Sequence, residues 1–245
     1  MAESMWLFWQ KNRKDDLTVI LPFYKKLSVF KEVLHLNAPY FARAGIEVII
    51  VMDEPSEEAE LIAFLKSYPQ IQWRLIVNDK PHPWRNPAKT INVGIRHARK
   101  SKILVMSPES RMLTDVIKIL SKKADERRRI FTTGLVQIEH TSRGWLPYGS
   151  ICAPRAAFEL IRGYDEAYTE WGADDDDVRM RLTYAGYREL RLLRARLLHT
   201  EAKPRPIKQL SESSRHILEA NQEQKLVVTN SDDWGRDFSR IAYES

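Results

Sequence analysis

Leu17–Phe23 (L-T-V-I-L-P-F) and Ile46–Met52 (I-E-V-I-I-V-M) are short, nearly continuous apolar runs rich in β-branched residues, and Lys25 to Ala44 between them reads as a helix. A strand that is apolar on both faces must be covered on both faces, which is the condition of a parallel sheet clothed by helices. A third run, Gln72–Val77, and a fourth, Lys102–Met106, are separated by another helical segment, so the unit repeats. The first half therefore predicts an α/β protein with a doubly wound, mostly parallel central sheet.

Downstream the pattern is irregular. Thr114 to Arg128 reads as a helix, Ile130 to Ile138 as a strand, and Arg143 to Gly149 as a turn-rich loop carrying aromatics. Further helices are expected over Pro154–Ile161, Asp174–Ala185 and Ser211–Leu226, with Ser211 as the N-cap of the last. The proline-punctuated stretch Lys203–Pro206 predicts a boundary between a domain of residues 1–205 and a helical C-terminal extension of residues 206–245.

Bulk properties narrow the class. A chain of 245 residues, 43% hydrophobic and 29% charged, can bury the core of one globular domain. The single Cys152 excludes an internal disulfide framework and suits a reducing compartment. No apolar run is long enough to span a bilayer and no basic-then-apolar leader is recognisable, so the cytoplasm is the expected location. Trp6, Leu7, Phe8 and Trp9, just before Lys11, Arg13 and Lys14, have two readings: an arm folded on the core, or an aromatic edge resting peripherally on the inner face of a membrane. The formal charge of +6 gathers at Lys122, Lys123 and Arg127 to Arg129, read as a solvated surface, and between Arg188 and Lys208. None of the usual nucleic-acid recognition signatures accompanies it, so no nucleic-acid partner is expected.

Open α/β sheets bind ligands outside the carboxyl ends of their strands. That rule points to Pro22, Phe23 and Tyr24 after the first strand, Asp53 and Glu54 after the second, and Ser107, Pro108 and Glu109 after the fourth. The segment N-P-A-K-T-I-N-V-G, from Asn86, opens a helix with Asn86 as N-cap and Pro87 at its first position. Ile91, Ile95 and Ala98 share its buried stripe, leaving Lys89, Asn92 and Arg96 on a polar face. A helix N-terminus is suited to a diphosphate.

The sharpest local signal is Trp171 to Asp177, W-G-A-D-D-D-D, ahead of Val178, Leu182 and Ala185 at helical spacing. Capping and the helix dipole explain an aspartate or two, not a row whose members repel one another. Asp174 and Asp175 lie on the stripe that leads to Val178 and are expected to face inward, to hold sugar hydroxyls and accept a proton. Asp177 is expected to pair with Arg181 on the surface. A carboxylate beside a carboxylate is a stronger base. His199 closes the strand-like run R-L-L-R-A-R-L-L-H-T, and with Glu109 it could hold Mn²⁺ or Mg²⁺ against a diphosphate.

Together these motifs resemble the GT-A glycosyltransferases, in particular the inverting family 2 enzymes, the β-galactosyltransferases and chondroitin-polymerase-like enzymes. N-P-A-K-T-I-N-V-G resembles the family's donor-site helix, and Y-G-S-I-C-A (Tyr148–Ala153) its strand before the acceptor site. G-Y-D-E (Gly163–Glu166) with W-G-A-D-D-D-D resembles its acceptor and base motif. The resemblance implies a nucleotide-binding half over residues 17–110 and an acceptor half over 130–200. It implies Pro22, Phe23, Tyr24 and Asp53 around the uracil and ribose of a UDP-sugar, with Lys89, Ser107 and Pro108 near the nucleotide. It further implies Asp175 as general base, Asp174 as a ligand of the acceptor hydroxyl, Trp171 as a stacking wall, and Glu109 and His199 as ligands of Mn²⁺ or Mg²⁺. The acceptor would be a saccharide or glycolipid. Where the family has Asp-x-Asp, this chain has Ser107, Pro108 and Glu109; a catalytically altered nucleotide- or sugar-binding relative is the alternative. A nucleotidyltransferase would need a glycine-rich phosphate loop after the first strand, and L-P-F-Y-K-K-L has no glycine.

Overall fold

The computed structural model describes residues 15–80, 87–141, 144–147, 150–170, 172–200, 210–236 and 240–245. Its centre is a sheet of strands β1 (Leu17–Phe23), β2 (Ile46–Met52), β3 (Gln72–Val77), β4 (Lys102–Met106), β5 (Ser110–Met112), β6 (Ile130–Ile138), β7 (Ser150–Pro154), β8 (Arg188–His199) and β9 (Arg240–Glu244). The spatial order is β5-β8-β6-β7-β4-β1-β2-β3-β9. The apolar runs β1 and β2 are buried along their whole length, as the two-sided reading requires. Strands β3, β2, β1 and β4 are parallel neighbours. Strand β7 runs antiparallel to both β4 and β6, and β8 is parallel to β6, so β4, β6 and β8 all point the same way as β1.

Helices cover both faces. On one side α1 (Leu27–Phe41), α2 (Glu58–Leu65) and α4 (Val116–Ser121) pack on Val19, Leu21, Val48, Ile50 and Leu75. On the other, α3 (Pro87–His97), α5 (Arg155–Leu160) and α6 (Asp174–Tyr184) pack on Ile20, Ile103, Val105, Phe131 and Ile151. Helix α7 (Glu212–Glu223) begins as expected: the Ser211 hydroxyl accepts the Ser214 N–H at 3.1 Å.

Two expectations need correction. The helix expected from Thr114 to Arg128 stops at Ser121, because the backbone of Asp125 pairs with Ile130 in both directions and turns the chain into β6. The stretch after residue 205 is not simply a helical extension. Strand β9 adds antiparallel to β3 at the sheet edge, and Trp234 is buried in the α3–α5–α6 core. Isolated alternation over a few residues near a chain end gives little to read, and the edge strand was missed for that reason.

Candidate active site

Strand direction decides which groups can meet. Strands β1, β2 and β4 end at Phe23, Met52 and Met106, and β6 and β8 end on the same side, where Ile138 lies opposite His199. Helix α3 returns from the end of β3 to the start of β4 and α6 leads back to the start of β8, so both present their N-termini to that edge. The expected residues after β1, β2 and β4, together with Lys89, His199, Asp174 and Asp175, therefore belong to one edge of the sheet.

At the β1–β2 end the backbone is knitted: Asp53 N–H donates to Phe23 O at 3.0 Å and Asn78 N–H to Met52 O at 2.9 Å. The Asn78 side chain donates to Asp53 Oδ1 at 3.1 Å, which fixes a carboxylate that is almost fully buried. Phe23 differs from expectation. Its ring is buried in the core edge-on to Phe30, 5.6 Å between centroids, so the ring belongs to the layer under α1 and only its backbone reaches the edge. Pro22 is buried and Tyr24 half-buried.

The β4–β8 end carries the main charge cluster. Residues 107–110 form a turn closed by Ser110 N–H on Ser107 O at 3.1 Å, after which β5 pairs Ser110 with His199. That register puts Glu109 beside His199: Oε1 lies 3.6 Å from Nε2. Lys26, at the head of α1, reaches the same oxygen at 2.8 Å. Glu109 is only 4% exposed and its Oε2 is sealed from solvent with no hydrogen-bond partner among the described residues. Burial opposes ionisation of this carboxyl, but the Lys26 ammonium and His199 outweigh it and hold Glu109 below the usual glutamate range. Lys26 is the member of this charge cluster that was not expected from the sequence. Its signal was the basic pair Lys25-Lys26, one residue after the first strand. Among the described residues no group of three or more His, Cys, Asp or Glu could hold a metal ion. A carboxylate and an imidazole side by side, with one orphaned oxygen and an ammonium already standing in as a cation, nevertheless suit a divalent ion whose remaining ligands come from a diphosphate.

The acidic run divides at the head of α6. Asp177 is fully buried and receives Arg181 Nε at 2.6 Å, a pair expected on the surface but found in the core. Arg181 also donates through Nη1 to Ile161 O and through Nη2 to Gly163 O, at 2.9 and 2.8 Å, and Asn221 of α7 bridges Asp177 Oδ1 and Asp165 Oδ2, each at 2.9 Å. Burial pushes the Asp177 carboxyl up, against the pull of Arg181. Asp176 is held at 3.1 Å by Arg179, which also grips Glu189. Asp174 and Asp175 are half-buried and lie near Tyr164, whose phenol is pushed well above its ordinary range by burial and then by these two carboxylates. The N-cap of α6, Ala173, is left-handed at φ 70° and offers no side-chain cap.

G-Y-D-E is a structural clasp. Asn92 of α3, fully buried, donates to Tyr164 O at 2.8 Å and to Glu166 Oε1 at 2.9 Å, and accepts Tyr164 N–H at 2.7 Å. Gly163 is needed there: φ is 71° and a Cβ would collide with the Asn92 amide. Glu166 also accepts Gly235 N–H at 2.8 Å, and Arg96 stacks on Trp234 while donating to the carbonyls of Asp232 and Trp234. The face of α3 expected to be polar thus splits. Lys89, in the first turn, stays at the strand-end edge, whereas Asn92 binds the 164–166 segment and Arg96 the protein's own C-terminal segment. Asn86 and Trp171, and Tyr148 and Gly149 of the expected acceptor strand, lie outside the described residues.

With that geometry the chain has the GT-A fold, the fold of nucleotide-sugar-dependent glycosyltransferases. Within it, residues 137–203, spanning the clasp, the acidic run and His199, match the family model described as the N-terminal domain of galactosyltransferase. The chain is similar to a mannosyltransferase of Pyrobaculum calidifontis in complex with GDP-Man and Mn²⁺, at 15% identity and a TM-score of 0.61, over 92% of this chain and 77% of that one. It is similar to GalNAc-T7 with UDP, GalNAc and Mn²⁺, at 14% identity and a TM-score of 0.62, over 84% of this chain but only 48% of that one. The catalytic domain of Drosophila β1,4-galactosyltransferase 7 in complex with xylobiose aligns at 15% identity and a TM-score of 0.53, over 83% and 79%. Sequence comparison with curated proteins finds no match.

Proposed function

We propose that this protein is a glycosyltransferase that takes a UDP-sugar and transfers the sugar, with inversion, to a hydroxyl of a saccharide or lipid-linked saccharide, working in the cytoplasm or peripherally at the inner face of a membrane. The observation that carries the reading is a juxtaposition: strand and helix direction put Asp174 and Asp175, at the head of α6, on the sheet edge that also holds Asp53, Glu109 and His199.

In this reading Asp53 and the backbone after β1 hold the nucleoside, and Lys89 with the α3 N-terminus faces the diphosphate. Asp174 accepts a hydrogen bond from the acceptor hydroxyl and Asp175 takes its proton as that oxygen attacks the anomeric carbon. The bond from the anomeric carbon to the diphosphate oxygen breaks with its electron pair on the departing UDP, and attack from the opposite face inverts the carbon. Trp171 would stack on a sugar ring. Glu109 and His199 would hold Mn²⁺ or Mg²⁺, which when bound supplies a Lewis acid against the leaving diphosphate.

The test is a melting experiment followed by a turnover assay. UDP with Mn²⁺ should raise the melting temperature more than GDP with Mn²⁺. A shift with GDP alone would move the donor class, and no shift with either would remove the donor site. Ser107 and Pro108 in place of a first carboxylate favour one further reading, a nucleotide-binding relative without turnover. That relative would be stabilised by UDP yet release no UDP from UDP-sugars in the presence of saccharide acceptors.

A further inference from the structure

We infer that Lys26 and a divalent cation compete for Glu109, so that the ion is admitted only once the ammonium has moved off that carboxylate. The inference rests on the donor-site reading above and concerns what controls it.

Glu109 Oε1 has two cationic or cation-capable neighbours, Lys26 Nζ at 2.8 Å and His199 Nε2 at 3.6 Å, and the Glu109 side chain is 5% exposed and that of Lys26 15%. Coulomb repulsion between an ammonium and a dication is weak in water, but it grows severalfold where solvent is excluded. A single carboxylate neutralises one of them, not both. The pair is therefore a closed electrostatic unit in the free protein, and the ion meets a ligand already neutralised.

Lysine is also the side chain suited to yield. Its charge sits at the end of a flexible stem, with three donors that are not bound to one geometry. No acceptor other than Glu109 meets this ammonium among the described residues. Lys26 follows Lys25, whose left-handed backbone at φ 49° turns the chain from β1 into α1, so the root of the side chain is anchored while its tip can swing. A diphosphate entering at this edge brings acceptors for the ammonium, frees Glu109, and supplies ligands to the ion in the same event. Nucleotide and metal must then tighten each other by the same factor.

The experiment is a Mn²⁺ titration followed by the electron paramagnetic resonance signal of the free ion, on wild type, Lys26→Met, Lys26→Arg and Glu109→Gln, without and with UDP. Melting curves verify folding, and Lys26→Gln replaces the methionine variant if that one unfolds. Without nucleotide, Lys26→Met should bind Mn²⁺ about tenfold tighter than wild type or more, Lys26→Arg should stay as weak as wild type, and Glu109→Gln should lose the ion. UDP should tighten Mn²⁺ strongly in wild type and much less in Lys26→Met. Equal or weaker Mn²⁺ binding by Lys26→Met overturns the competition while leaving the donor reading intact. Failure of every protein to bind Mn²⁺, with or without UDP, overturns it as well. If the nucleotide-free comparison comes out as expected but UDP changes nothing in any protein, the competition at Glu109 stands and the donor reading falls.

Discussion

The run of aspartates at the head of α6 contains two environments within one helical turn. Asp176 and Asp177 are each held by an arginine, and the second sits in a fully buried network with Arg181, Asn221 and Asp165. Asp174 and Asp175 are half-buried at the head of the helix, near enough to Tyr164 for their charges to add to burial in raising its pKa. Identical side chains thus have separate surroundings because helical rotation sends one pair toward the arginines of α6 and leaves the other at the strand-end edge. The division predicts opposite kinds of damage.

Asp175→Asn should give the largest effect and confine it to chemistry. Sugar transfer should fall by roughly 10²- to 10⁴-fold, the range of a lost general base, with the melting temperature and UDP binding little changed. Initial rates at saturating donor read it, and transfer at wild-type rate would take the base assignment away. Asp177→Asn should do the reverse. An isosteric amide leaves the Arg181 guanidinium, which has no exposed surface, without its counter-charge. Breaking a buried ion pair by removing one partner costs about 3–5 kcal/mol. In a chain of this size that is a fall in melting temperature of roughly 6 °C or more, visible by calorimetry. A drop under about 1 kcal/mol would mean that the network contributes no more than a surface pair.

The contrast between these pairs also marks how far the sequence can be read. Strands β1 to β4 and β6 were legible to the residue because a two-sided apolar run admits few other conformations. The acidic run was legible as the head of a helix, and its inner division was not. Asp177 and Arg181 were paired correctly by helical spacing, but spacing is blind to what covers a pair, and Asn221 and the 161–163 carbonyls come from elsewhere in the chain. Lys26 was missed for the same reason. Its partner lies far along the sequence, and only the β5–β8 register and the start of α1 bring Glu109, His199 and Lys26 together. Asn92 and Arg96 looked like ligand groups because a helix surface that binds another segment of its own chain has the same composition as one that binds a phosphate.

The smallest effect concerns the residue that sets the angle of the run. Ala173 holds a left-handed conformation, φ 70°, directly after Gly172 at φ 100°, and its methyl group can neither cap the helix nor relieve the strain. A Cβ in that region costs about 1 kcal/mol, and glycine removes that cost while adding entropy to the unfolded chain. Ala173→Gly should therefore stabilise the protein by about 0.5 kcal/mol, a rise of roughly 1–2 °C. If the first pair of aspartates depends on this backbone angle for its placement, the added freedom should lower transfer slightly even as the melting temperature rises. A variant that melts lower than wild type would show instead that the methyl group packs well enough to outweigh its strain.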